Sequence, residues 1–343
     1  MELSARKKAI LREIVRSHIE FGEPVGSKIL ATKLENAPST ATLRNEMSEL
    51  CLLGYLEQPH ASAGRLPTSK AYRLFVNELM SKTPISDEER TAIDRMLDNV
   101  RHDPETLGIS AAEILSQITG LPAISASGSD LAAKIKRVSL LPMGRTVSLI
   151  FVITEDGRTK SRLVHTSAPL DASLIALFEK IVEERICSKE ISLLDKAYLQ
   201  STVVSAGLSA LSLAPLLSTA FDLAEELKRA HVDMGGAANL FSVCRRDDDA
   251  KKILDLLKTG EAVYSIFSGI TAPIEVVFGE DTEFSALASS GMIVASYGEE
   301  DRFGKLCLIG PTRMSYERLM PSVGYLAGRV GEIMTEILKG MEE

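Results

Sequence analysis

Cysteine is scarce and scattered in this chain. Cys51, Cys187, Cys244 and Cys307 lie far apart, and no Cys-x-x-Cys or Cys/His spacing suggests a zinc site. Each reads as a small buried hydrophobe. The five histidines are equally dispersed. No Walker sequence, dinucleotide fingerprint, Gly-x-Ser-x-Gly or His-Glu-x-x-His occurs, and the carboxylates form no telling pair. These gaps argue against an enzyme and imply no cofactor and no metal. No apolar run approaches the ~20 residues a membrane span needs. The N-terminus is charged and amphipathic, without a secretory signal, so the chain reads as cytoplasmic with no membrane partner. A strongly basic tail is missing too. The net charge is −8 over 343 residues, which argues against non-specific nucleic-acid binding as the main role.

The most informative stretch runs from Ser39 to Thr68. Ser39 can cap a short helix that ends near Gly54. At about 100° per residue, Leu43, Met47 and Leu50 share one face. The opposite face carries Ala41, Arg44, Asn45 and Ser48, with Thr42 adjacent. Those side chains suit base edges: Arg for guanine, Asn for adenine, Ala for a thymine methyl. A polar hairpin follows, tipped by Ser62-Ala63-Gly64-Arg65. Arg65 is expected to meet phosphate or enter the minor groove. His60 at the base of this wing and Lys28 upstream are candidate phosphate contacts, as are Lys7 and Lys70.

The flanks agree. Ser4 to Glu20 has Ile10, Leu11, Ile14, Val15 and Ile19 at helical spacing, and Phe21-Gly22-Glu23-Pro24 stops that helix. A second short helix begins at Val25-Gly26-Ser27 and uses Ile29, Leu30 and Leu34. Helix, helix, turn, helix, hairpin is the winged-helix order. Residues 1–80 hold 11 Lys+Arg against 9 Asp+Glu, whereas the remainder holds 28 against 38. A slightly basic reader on an acidic body suits local, shape-matched recognition of double-stranded DNA.

Several runs resemble the HrcA family, the bacterial heat-inducible transcription repressors. They are GEPVGSKIL at 22–30, ATLRNEM at 41–47, GYLEQPHASAGRLPT at 54–68 and GPTRMSY at 310–316. Gly236-Ala237-Ala238-Asn239-Leu240 and Gly279-Glu280-Asp281 match more weakly. The chain departs from the family pattern at Cys51 and after Leu240. The resemblance implies a homodimer that represses chaperone operons at an inverted-repeat operator, with activity tuned by the GroE chaperonin. On the residues alone, a ligand-responsive winged-helix regulator stays open. An enzyme would need converging titratable groups, which the spacing does not offer.

Beyond residue 80, Ser81-Lys82-Thr83-Pro84 reads as a linker, followed by helices at about 87–101 and 104–119 and a flexible turn over Ser125–Asp130. Strands are expected at Arg137–Met143, Thr146–Thr154 and Arg158–His165, then helices to about Ala230. Strand patterns return at Ile274–Phe278, Met292–Tyr297 and Lys305–Ile309, before a last helix from about Tyr316 to Lys339. This order predicts a multidomain α+β chain. Residues 1–80 form the winged helix-turn-helix, and 81–130 a linker with helices. The resemblance implies a GAF-like domain, placed at 131–167 plus 231–343, carrying a mainly helical dimerising insertion at 168–230.

Overall fold

The computed structural model describes residues 3–35, 37–60, 63–81, 83–100, 104–127, 133–155, 157–206, 212–229, 231–244, 247–257, 260–298 and 304–340. The reader opens with α1 (Ala5–Phe21), α2 (Ser27–Lys33) and α3 (Thr40–Leu52). Ser4 Oγ accepts from the Lys7 amide to start α1, and Gly22 ends it at φ 73°, a left-handed conformation that favours glycine. Ile10, Leu11, Ile14 and Val15 are buried against Leu43, Met47 and Leu50 of α3, as the spacing predicts. The wing is β1 (Leu56–Glu57) with β2 (Leu66–Pro67), antiparallel with Leu56 opposite Pro67. Helix α4 (Ser69–Leu74) runs on into a π-helical turn, Phe75–Leu79.

The body is built from α5 (Asp87–Asp98), α6 (Pro104–Thr119), β3 (Ala123–Ser127) and, after an insertion, everything from residue 231. The insertion holds β4 (Ile135–Pro142), β5 (Val147–Thr154), β6 (Thr159–His165), α7 (Ala172–Arg185), α8 (Lys196–Ala206) and α9 (Ala214–Leu227). The body resumes with β7 (His231–Gly235), α10 (Leu240–Val243), α11 (Asp247–Leu257), α12 (Gly260–Ser268) and β8 (Ile274–Phe278). It closes with β9 (Ser290–Tyr297), β10 (Gly304–Pro311) and α13 (Tyr316–Gly340). Its five-stranded antiparallel sheet has the order β7-β3-β10-β9-β8. Strands β9 and β10 are covered on both faces. Ile293, Ala295, Leu306 and Leu308 face the core shared with α6 and α13. Met292, Val294, Cys307 and Ile309 face the opposite core, shared with α11 and α12. That period of two explains why both strands read as nearly continuous apolar runs.

Three sequence expectations are corrected here. Strands β4, β5 and β6 do not join the body sheet; they form their own three-stranded antiparallel sheet. Its inner face, including Ile135, Ile150 and Val152, shares one core with Phe178 of α7 and Leu216, Leu217 and Phe221 of α9. The expected border between 167 and 168 therefore cuts through a single core. Helices α7 and α9 need that sheet to bury their apolar sides. Second, Ser125–Ser127 is strand rather than turn, at an inner position of the body sheet, so 81–130 is not only linker and helices. The rest of that expected turn, residues 128–130, lies outside the described residues. Third, β7 pairs with β3, from Ala123 opposite Gly235 to Ser127 opposite His231, where no strand is expected. Among the described residues, no helix is long and apolar enough to cross a membrane.

Reader and body are joined by specific contacts. Arg16 of α1 grips Glu317 of α13, Nη2 to Oε1 at 2.7 Å, and the Ser81 amide donates to the same carboxylate oxygen at 2.8 Å. Arg73 of α4 binds Asp281 and Glu280 and lies over the Phe278 ring. Tyr316 is fully buried between Tyr72 and Phe278, with ring centroids 6.3 and 6.2 Å away. The linker at Ser81 is thus pinned rather than loose.

Candidate nucleic-acid interface

The reading helix divides its residues as its periodicity demands. Leu43, Met47 and Leu50 are buried, whereas Ala41, Arg44, Asn45 and Ser48 are exposed together. Ser39 caps the helix: its Oγ accepts from the Thr42 amide at 3.2 Å. The Thr42 hydroxyl lies 2.9 Å from Ser39 Oγ, so half-buried Thr42 is tied into the cap. Ser48 donates its hydroxyl to the Arg44 carbonyl at 2.9 Å, leaving its lone pairs outward. Lys28 is exposed on α2, and His60 is exposed where its carbonyl accepts from the Ala63 amide. Ser62 lies outside the described residues.

Arg65 is not at the tip. Its backbone pairs with Val25 in both directions at 2.9 Å, adding the segment before α2 to the wing. The side chain is half-buried, Nη1 donates to the Ala63 carbonyl at 3.4 Å, and buried Nε has no partner among the described residues. An unmatched guanidinium donor is costly unless an acceptor completes it.

The close pairing of Val25 with Arg65 dictates Gly64. A Cβ there would stand 2.5 Å from the Val25 carbonyl carbon and 2.7 Å from the Pro24 oxygen. Both are backbone atoms, so the wing would have to shift. Gly64→Ala is expected to cost about 1–3 kcal/mol, the usual range for overpacking. A urea midpoint equal to that of the parent chain would refute this.

Two other cations are engaged within the protein. Lys7 Nζ lies 2.8 Å from Glu49, a hydrogen bond that raises its pKa. Lys70 donates to the Leu53 carbonyl at 2.9 Å and stands over the Tyr55 ring. What the sequence did not reveal is the joint behind the reader. His18 Nδ1 lies 2.6 Å from the Tyr72 hydroxyl. Burial first, then the nearby Arg313 guanidinium, holds His18 below its ordinary value of 6.5. Burial pushes the Tyr72 phenol well up. The sign follows directly. Unfolding exposes His18 and lets it take up a proton that the folded state resists. Its contribution is therefore complete above an unfolded pKa of about 6.5 and declines as pH falls through the lower folded value. Between about pH 7.5 and about pH 5.5 the parent chain should lose more of its urea midpoint than His18→Gln. Equal losses would remove this account.

The description "Winged helix-turn-helix transcription repressor, HrcA DNA-binding" matches residues 2–81, and "HrcA protein C terminal domain" matches residues 107–320. The heat-inducible transcription repressor HrcA of Clostridioides difficile (strain 630) is 31% identical over 95% of this chain and 98% of its own length. That of Thermobifida fusca (strain YX) is 32% identical over 97% of both. A crystal structure of a hypothetical protein at 2.2 Å resolution superposes with a TM-score of 0.65 at 23% identity, covering 98% of this chain and 99% of that one, so it supports the fold. A DNA-binding winged helix matched over its whole length, a C-terminal match over most of the body and full-length relatives all point one way: the chain belongs to the HrcA family of heat-inducible transcription repressors.

Proposed function

We propose that this chain is a dimeric repressor of heat-shock chaperone operons that binds an inverted-repeat operator, with activity tuned by the GroE chaperonin. The observation that carries the DNA reading is the joint exposure of Ala41, Arg44, Asn45 and Ser48 on a helix whose other face is buried. Arg44 and Asn45 read base edges; Ser48 and Ala41 add neighbouring contacts. Thr42 orders the cap, which takes up its own amide, and the amides of Thr40 and Ala41 before it face phosphate. Lys28, His60, Ser62 and Arg65 meet the backbone, and the orphan Nε of Arg65 supports its part in this.

One short helix touches few base pairs, so two copies supply affinity and specificity. The outer face of the inserted sheet supports a dimer there. Leu141 stands opposite Leu149, and Leu149 opposite Leu163, in one row across β4, β5 and β6. Leu141 and Leu163 are more than half exposed, and Met143 nearby is 65% exposed. A half-buried leucine flanked by two exposed ones on a sheet face marks a contact surface.

The test is a salt-controlled titration of the protein, with and without chaperonin, on inverted-repeat DNA from upstream of its own chaperonin operon. The expected result is tight two-half-site binding that improves with chaperonin and exceeds binding to scrambled DNA. Binding indifferent to chaperonin would remove the GroE part of the reading. No preference over scrambled DNA by folded protein would remove the operator.

A further inference from the structure

A crevice of about 720 Å³ lies between the reader and the body. His18, Thr68, Ser69 and Tyr72 border it from the reader; Ser289, Ser290, Thr312 and Arg313 border it from the body. That volume falls within the range of roughly 300–1,000 Å³ that small-molecule sites occupy. We propose that this crevice binds a small phosphate ester of nucleoside monophosphate size, anchored by Arg313.

Arg313 is the first reason. It is exposed and forms no ion pair or hydrogen bond with another described residue, although Glu317 on the following turn is bound to Arg16. Its guanidinium stands against Gly22 at the C-terminal end of α1, where a helix favours a cation. That contact positions the group and leaves its donor fork without an acceptor among the described residues. A planar fork of this kind matches a phosphate bidentately.

The hydroxyls are the second reason. Thr312 spends its own on the Ser289 carbonyl and Thr68 on the Gly54 carbonyl. Those of Ser69, Ser285, Ser289 and Ser290 make no hydrogen bond to another described residue. They are short, rotatable donors beside that cation. The remaining lining sets the rest of the ligand. Glu57 is a carboxylate that accepts hydrogen bonds, as is Asp249, although Lys252 stands 4.0 Å from it, and Leu121, Val243 and Ile253 offer apolar surface. A phosphate, a hydroxylated ring and a flat apolar group satisfy all three. Glu280 is not available, because Arg73 holds it.

Since the walls belong to different parts of the chain, an occupant favours the arrangement in which they meet.

Calorimetric titration of the full chain with adenosine monophosphate tests this, with adenosine and inorganic phosphate as parallel probes. The expected result is one saturable site per chain, with adenosine at least about tenfold weaker, a loss of roughly 1.4 kcal/mol. Arg313→Gln should weaken the nucleotide by at least about the same factor, and Arg65→Gln should leave it unchanged. Hydrogen exchange with bound nucleotide should slow at both Thr68–Tyr72 and Ser289–Arg313. Ser289→Val provides a second variant if Arg313→Gln fails to fold, and it too should weaken binding. Absence of saturable binding overturns the proposal. So does loss in Arg65→Gln with retention in Arg313→Gln, which would put the phosphate on the DNA-binding face. Equal affinity for nucleotide and inorganic phosphate overturns the nucleoside assignment, and protection of one wall alone overturns the bridging.

Discussion

Arg44→Ala is expected to weaken operator binding by about 1–3 kcal/mol, roughly 5- to 150-fold, while binding to random DNA changes little. Arg44 is exposed on the reading face, while Leu43 and Met47 on the other face supply the burial that holds the reader together. Its loss should therefore leave the unfolding midpoint unchanged. Discrimination at the base pair it reads should relax, which binding to single-substitution operators would expose. Arg65→Ala should behave differently. It should weaken all sequences more evenly and reduce the salt slope by about one. If Arg44→Ala weakened operator and random DNA equally, the assignment of Arg44 to base reading would fall, and phosphate contact would replace it.

The second large effect is structural. Tyr316→Ala should destabilise the chain by about 3–5 kcal/mol, the usual result of deleting a fully buried aromatic side chain. Tyr316 is 0% exposed, and its ring meets one ring from the reader, Tyr72, and one from the body, Phe278. Its hydroxyl donates to the Thr312 carbonyl at 2.7 Å. Tyr316→Phe keeps the ring and loses only that bond, so it should cost about 1 kcal/mol. Because the aromatic joint backs the Arg16–Glu317 pair, the alanine variant should also expose the segment at Ser81 to protease sooner than the phenylalanine variant. Similar urea midpoints for the two variants would show that the ring does not carry the joint.

The reader was legible because its evidence is local. A cap at Ser39, an apolar triplet at helical spacing and a glycine after the helix lie within sixteen residues, and the buried set matched residue for residue. The same locality explains the misplacement of Arg65. Counting from the hairpin put it at the tip, whereas its height is set by pairing with Val25, forty residues earlier in the chain. The strands of the insertion were legible as strands, but not their sheet, because alternation fixes faces and not partners. Strand β3 was hidden by its small residues. Ala123, Ser125 and Ser127 carry little strand signature, yet smallness is what lets α6 approach: a Cβ on Gly108 would stand 2.9 Å from Ser125 Oγ. Gly235 plays the same part for β7, since a Cβ there would stand 2.3 Å from the Ala112 backbone. The aromatic joint was not readable at all. The GPTRMSY run stood out as a motif, but only the fold brings Tyr316 to Tyr72.

The pairing of Ser127 with His231 has an architectural meaning. Residues directly opposite in an antiparallel ladder lie about 5 Å apart, so everything between them leaves and re-enters the sheet through one narrow doorway. In wiring terms, the whole inserted unit is the loop of a single β-hairpin, grown until it acquired a core of its own. A short turn could close the same doorway. The unit that carries the leucine row is therefore a handle with a core of its own, and the sheet behind the reader owes it no strand.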